Sequence, residues 1–256
     1  MSTNLCGDEY VLRLVPRGHI AALSFEAGDR HPVVSTIVDR VGGIAQIRPT
    51  LEAVLDLKPD LVVMQTGTLM RLHAGLAALG VPILDLPYDD SLAAVRRTTI
   101  MLGRRFGAAD KAAALLKQMD AVLAAARRAA ARPSVRTLIY EPNGYAASGG
   151  LTRELMTVAG LADMASSYGL TRSGRIPVEE VVAAAPDLLI LSGQRRTPTA
   201  RADLVLHHPA LAALEGHTTT AWQPFLPLLC AGPWSAEAAA TFARLGRLAH
   251  RQALSR

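Results

Sequence analysis

Two stretches of this chain read alike: Glu52-Ala-Val54-Leu-Asp-Leu-Lys-Pro59-Asp60-Leu61-Val-Val and Glu179-Glu-Val181-Val-Ala-Ala-Ala-Pro186-Asp187-Leu188-Leu-Ile. A constant offset of 127 residues separates the two glutamates, the two prolines and the leucines that follow Pro-Asp. Each copy spells a helix, a stop and a buried strand. Proline pushes the residue before it out of the helical region, and the unbroken apolar run after it suits a strand covered on both faces. Any protein of alternating strands and helices can contain this arrangement twice. A glutamate at the same distance before each proline favours duplicated lobes.

Working outward, Ile20–Leu23, Leu61–Gln65 and Ile83–Leu86 read as buried strands, with helical spacing over Thr50–Leu57 and Leu69–Leu79. Ser91 is a candidate N-cap for a helix running to Leu102. From Ala108 to Arg132 there is no Gly or Pro, Asp110 stands near the start and Arg127, Arg128 and Arg132 near the end. One helix of that length spans roughly 37 Å, with its charges ordered to suit its dipole, and it reads as a strut. Beyond Pro133, Thr137–Tyr140 and Leu188–Leu191 read as strands. Leu151–Ala159, Val178–Ala184 and a last segment from Ser235 to Ala253 read as helices. The expected fold class is α/β: two βα lobes with mostly parallel sheets, joined by one long backbone helix, with a ligand cleft between the lobes. The expected boundaries are 1–106 for the N-terminal lobe, 107–132 for the helix and 133–256 for the C-terminal lobe.

The 256 residues are 50% hydrophobic and only 4% aromatic, which excludes a disordered chain and predicts an aliphatic interior. The formal charge is +5. The densest basic sets, Arg104-Arg105, Arg127-Arg128 and Arg195-Arg196, are pairs without interleaved aromatics, so nucleic acid is not an expected partner. No run reaches the roughly 18 apolar residues of a spanning helix, and no basic region precedes an apolar run at the start. The chain as given reads as soluble and without an address. Cys6 and Cys230 lack metal-ligand spacing. They are a disulfide in an oxidising compartment, two buried thiols, or residues facing one cleft.

The chain resembles the helical-backbone class of periplasmic binding proteins, which includes receptors for cobalamin, ferric siderophores and haem. The resemblance rests on Asn4-Leu5-Cys6, on LEAVLDLKPDLVV, LGVPILDLP at Leu79–Pro87, the strut helix, SGGLTRELMTVAGLAD at Ser148–Asp163, and PVEEVVAAAPDLLIL. It implies a solute-binding protein of an ABC transporter, not an enzyme. Such a protein is periplasmic and monomeric, has no resident cofactor, and delivers a metal chelate to a permease and its ATPase. It further implies that Glu52 and Glu179, one per lobe, dock the permease. Paired carboxylates meeting arginine pockets give orientation and still permit release. The alternative for each glutamate is a favourable place at a helix N-terminus. Relatives carry a strand and an export peptide before Asn-Leu-Cys, where this sequence has Met1-Ser2-Thr3.

Ligands of open α/β sheets bind beyond the carboxyl ends of strands. That rule selects Asn4, Cys6, the loop Ser24–Glu26 with Glu26, the loop Thr66–Thr68 with Thr66, and Tyr88 in the first lobe, and Asn143, Tyr145, Arg195, Trp222 and Trp234 in the second. Large chelates present flat apolar faces and anionic edges, which aromatic rings and guanidinium groups recognise. Haem calls for an axial Tyr or His, cobalamin for a neutral aromatic pocket, and an anionic ferric siderophore for converging arginines. The many arginines lean toward the iron chelate.

Two other readings compete. Direct metal-ion binding needs a His and carboxylate constellation. Here His207-His208 are adjacent, His19, His31, His73, His217 and His250 are scattered, and no metal site is expected. A two-domain lyase or hydrolase acting on a small anionic substrate would use Glu141 or Asp89 with Tyr145 as acid and base. No GxGxxG, P-loop, GxSxG or HExxH motif supports it. Ser148-Gly149-Gly150 is either an anion-binding helix start or a tight turn.

Overall fold

The computed structural model describes residues 1–30, 34–193, 200–214, 216–223 and 226–255. The chain opens with α1 (Leu5–Leu14), β1 (Leu23–Ser24), β2 (Gln46–Ile47), α2 (Leu51–Asp56) and β3 (Val62–Gln65). Then come α3 (Met70–Ala78), β4 (Ile83–Leu86), α4 (Leu92–Arg105) and α5 (Ala109–Arg128). The second half holds β5 (Val135–Glu141), β6 (Tyr145–Ala147), α6 (Gly150–Val158), β7 (Leu161–Asp163) and β8 (Gly174–Arg175). It ends with α7 (Val178–Ala184), β9 (Leu188–Leu191), α8 (Pro209–Ala212), β10 (Thr219–Trp222), α9 (Leu226–Leu229) and α10 (Ala236–Leu254).

These elements form two compact units, Met1–Gln118 with Leu226–Trp234, and Met119–Phe225 with Ser235–Arg256. In the first, β1 pairs β2 and β3 pairs β4, both in parallel, and Ser2 makes a parallel bridge to Val63. In the second, the strand order is β10-β9-β5-β6-β8 with β7 also on β5. The β10, β9, β5 and β7 pairings are parallel, while β6 pairs antiparallel with β5 and β8. The protein is therefore α/β with parallel-rich sheets in two units.

The duplicated motif folds alike in both. Leu51 and Val178, the first residues of α2 and α7, keep the offset seen in the sequence. Val54 and Val181 are both fully buried. Lys58 (φ 44°) and Ala185 (φ 40°), each just before the proline, both take the left-handed conformation. A non-glycine residue there is disfavoured by roughly 1 kcal/mol. Its recurrence at equivalent positions shows a helix ending in the same way twice, because the proline forbids the helical geometry that would continue it.

The helix expected over 108–132 is α5, which stops at Arg128. The carbonyl of Ala129 accepts from the Arg247 guanidinium (2.9 Å), and Ala131 packs against Gly160, where a Cβ would lie 2.7 Å from the Ala131 carbonyl oxygen. Tertiary partners thus take over the backbone where helical bonds would continue. Two expectations are corrected. Residues 226–234, placed by the sequence in a C-terminal lobe of 133–256, belong to the first unit. Asn4-Leu5-Cys6, read as a loop after a strand, is the N-cap and first turn of α1.

The first unit has two apolar clusters. One joins Tyr10, Leu14, Leu23, Ile37, Leu102, Ala112 and Trp234, and the other Met1, Ala22, Val54, Val62, Met64, Leu72 and Leu76. The second unit is built around Leu138, Tyr140, Val181, Leu189 and Leu191. Among the described residues no helix is long and apolar enough to cross a membrane.

Candidate functional site

In the first unit a cavity of about 510 Å3 opens where β1, β2 and β3 end, the position expected of a ligand site in a parallel sheet. Its floor is the first turn of α1. Asn4 caps that helix, its Oδ1 accepting from the Gly7 N–H (3.1 Å) while its Nδ2 donates to Gln65 Oε1 (2.9 Å). The Leu5 N–H donates to Glu26 Oε2 (3.1 Å), so a carboxylate satisfies a free amide at the positive end of the helix.

One wall is Phe25 with the Arg48 guanidinium lying over its ring, 4.0 Å from the centroid. Arg48 is exposed, so its remaining donors face solvent. The stack holds a cation and a flat apolar surface side by side. Thr68 and Leu69 form the rim. Thr68 Oγ1 donates to the Gln65 carbonyl (2.8 Å), and Leu69 is held at φ 45° as the N-cap of α3. Such a conformation costs on the order of 1–3 kcal/mol and gathers at binding sites.

Of the residues singled out by sequence, Asn4, Cys6 and Glu26 line this cavity. Cys6 does so as half of a disulfide with Cys230, which resolves the three alternatives for the pair. Thr66 is not in the wall, since its N–H (2.9 Å) and its Oγ1 (3.1 Å) both donate to the Leu86 carbonyl and tie β3 to β4. Tyr88, 78% exposed, also lies outside it.

Trp234 is corrected. Expected to face a ligand, it is only 7% exposed, its Nε1 donates to the Cys230 carbonyl (2.8 Å), and its ring meets Tyr10 edge-on at 4.8 Å under the Arg13 guanidinium. Its indole body fills the core and its one donor is spent on the backbone, as is usual for a buried tryptophan.

In the second unit Asn143 (φ 60°) and Tyr145 sit on the tight turn between β5 and β6, both exposed, with the Arg175 guanidinium 5.4 Å from the Tyr145 ring. Glu141 pairs with Tyr145 across that hairpin, and burial raises its pKa. Trp222 is half-buried against the core of this unit, its ring 4.8 Å from that of His207. Arg195 lies outside the described residues. Ser148 donates to Asp163 (2.7 Å) and to the Leu170 carbonyl (3.1 Å), with Arg153 on the same carboxylate. Gly149 (φ 76°) takes the tight turn, where a Cβ would meet the Thr171 carbonyl oxygen at 1.9 Å. Among the described residues no group of three His, Cys, Asp or Glu is placed to hold a metal ion.

The loops Ser24–Glu26 and Thr66–Thr68 selected by the strand-end rule bring Phe25 and Thr68 into the wall, whereas Arg48, Gln65 and Leu69 were missed. Arg48 follows a strand of two residues, too short to show any periodicity. The one available signal was its place between Ile47 and Pro49.

Behind the cavity floor, Asp8 on α1 is buried and accepts hydrogen bonds from the Ser2 hydroxyl and from the Ser24 N–H and hydroxyl. Burial pushes its pKa up to about 7 against those bonds. The folded state therefore holds a proton that the unfolded chain gives up near pH 4. The stability this carboxyl contributes is full below pH 4 and is lost as pH rises through 7, at up to about 1.4 kcal/mol per pH unit. Urea midpoints measured from pH 5 to 8 should fall for the wild type relative to Asp8→Asn. Parallel profiles would assign the titration elsewhere.

The family of periplasmic binding proteins matches residues 26–217. No curated protein sequence matches the chain. Among solved structures it is similar to the periplasmic heme-binding protein RhuT from Roseiflexus sp. RS-1 in apo form, at 20% identity and TM-score 0.75 over 97% of each chain. A periplasmic heme binding protein from Pseudomonas aeruginosa matches at 20% identity and TM-score 0.69, over 96% of this chain and 91% of that one. The periplasmic heme binding protein HutB of Vibrio cholerae matches at 14% identity and TM-score 0.77, over 95% and 96%. At these identities the likeness is one of fold.

Proposed function

We propose that this chain, which belongs to the periplasmic binding protein family, is the solute-binding component of an ABC importer and captures an anionic metal chelate, with haem the first candidate. The observation that carries the cargo class is the Arg48 guanidinium stacked on Phe25 in the wall of the first unit's cavity. An aromatic face suits the flat body of a chelate, and the guanidinium suits a carboxylate or catecholate at its edge. The solved relatives described as heme-binding support the same class. Binding is stoichiometric and no reaction follows it. Delivery goes to a permease and its ATPase, outside the cytoplasmic membrane, where a disulfide such as Cys6–Cys230 persists.

Titration of the purified protein with haemin, cyanocobalamin, cobinamide and ferric hydroxamate and catecholate siderophores tests this reading by calorimetry and absorbance. One-to-one saturation by haemin or an anionic ferric siderophore is expected, weakened about 10-fold to 100-fold in Arg48→Glu, since a charge-assisted hydrogen bond is worth roughly 1.5–3 kcal/mol. Tyr88, exposed in the same unit as the cavity, is a phenol available as an axial haem ligand. Loss of the haem absorption shift in Tyr88→Phe would identify it. Saturation by cobalamin alone, unaffected by Arg48→Glu, would replace the anionic cargo with a neutral one. No binding of any probe to folded protein would end the chelate reading.

A further inference from the structure

The last turns of α4 carry a cationic face away from the cavity. Arg97, Ile100, Met101, Arg104 and Arg105 stand at i, i+3, i+4, i+7 and i+8, on one side of the helix, and line a depression of about 540 Å3. The other side, with Val95, Thr98, Thr99 and Leu102, is buried and anchors the helix. All three arginines are exposed. Arg97 lies near enough to Asp89 to favour the charged form of that carboxyl, but among the described residues none of the three forms an ion pair with a carboxylate. Ile100 is 39% exposed in their midst.

Cations in the final turn suit the negative end of a helix, which accounts for the sign of Arg104 and Arg105. It does not account for Arg97, two turns earlier, or for an exposed isoleucine ringed by like charges. Both costs, mutual repulsion and wetted apolar surface, fall together only before a partner that offers anions above an apolar layer. We propose that this face of α4 docks on the anionic phospholipid headgroups of a membrane. Each guanidinium fork matches phosphate oxygens, the arginine stems run along Ile100 and Met101, and Ile100 enters the boundary between headgroups and acyl chains. An acidic protein surface would satisfy the charges but not the isoleucine. A protein that unloads at a membrane gains from weak, salt-sensitive attraction to it. The inference does not depend on which cargo is carried.

Sedimentation of the disulfide-intact protein with phosphatidylcholine vesicles, with and without phosphatidylglycerol, tests it without cargo. The wild type should sediment with the anionic vesicles only, and less in high salt. The triple variant Arg97→Gln, Arg104→Gln, Arg105→Gln should bind roughly 100-fold more weakly, the combined effect of three basic side chains near an anionic surface. Arg127→Gln with Arg128→Gln should bind as the wild type does, and Ile100→Ser should bind more weakly with its charges intact. Equal losses per charge removed in the two arginine variants would reduce the effect to net charge and overturn the site. So would a wild type that stays in the supernatant, and in that case loss of transport in the triple variant would reassign the face to an acidic protein. Thermal melting of each variant checks that the exposed substitutions leave the fold in place.

Discussion

Reducing the Cys6–Cys230 disulfide, or replacing Cys230 by serine, is expected to lower the unfolding free energy by about 5 kcal/mol, the chain-entropy value for so long a loop. The bond joins residues 224 apart in sequence and is the one covalent tie between the first turn of α1 and the segment 226–234. That segment reaches the first unit from residues that belong to the second, so its return depends on what it meets there. It meets the disulfide, and it meets the socket for Trp234 formed by Tyr10 and Arg13. Losing the bond frees the unfolded chain and also leaves Cys6, which lines the cavity, without its covalent partner. Guanidinium denaturation with and without reductant measures the effect. The wild-type midpoint should drop on reduction, whereas Cys230→Ser should start low and ignore the reductant. Coincident wild-type curves would mean that the Trp234 socket alone holds the segment. Trp234→Ala on the oxidised protein would then show a loss of about 3–5 kcal/mol, the range for a large aromatic removed from a core.

Reversing the charge of both Glu52 and Glu179 is expected to abolish transport in a reconstituted importer while leaving cargo affinity within about 2-fold, a change of under 0.5 kcal/mol. This follows from the proposed docking role. Both side chains are exposed in the first turn of their helices, α2 and α7, at equivalent positions of the duplicated motif. Thr50 already caps α2, its Oγ1 accepting from the Ala53 N–H at 3.2 Å, so the fold does not need Glu52 as a cap. The competing explanation is the helix dipole, which is worth roughly 0.3–1 kcal/mol per carboxylate and would appear as lost stability. The two effects separate cleanly. Docking predicts a dead transporter built from a stable, cargo-loaded protein, with each single reversal giving a partial loss. Full transport by the double variant would leave only the dipole role.

Much of the architecture was legible because its signals are short-range. Apolar runs bounded by proline placed β3, β4, β5 and β9 within a residue or two. Periodicity placed α2, α3, α6 and α7 similarly, and Ser91 does cap α4, its hydroxyl accepting from the Ala94 N–H at 3.2 Å. Strands of two or three residues such as β2, β6, β7 and β8 carry too few positions for a pattern and were not seen, and the strand expected over Ile20–Leu23 forms only at Leu23–Ser24. Within the cavity, Asn4, Cys6 and Glu26 were found by the rule that sites follow strand ends. Phe25 came with the Ser24–Glu26 loop, but Arg48 did not, because their meeting is a side-chain stack between separate loops.

The α/β class, the duplicated motif and the extents of α2, α3, α6, α7 and α10 can be read from the sequence alone, since a helix or strand is set by neighbours within one or two turns. That Cys6 meets Cys230, that Trp234 is core and not contact surface, and that residues 226–234 belong to the first unit come from tertiary packing. Partners so far apart in sequence leave no local periodicity. They are selected when packing the whole unit outweighs the entropy of closing a long loop.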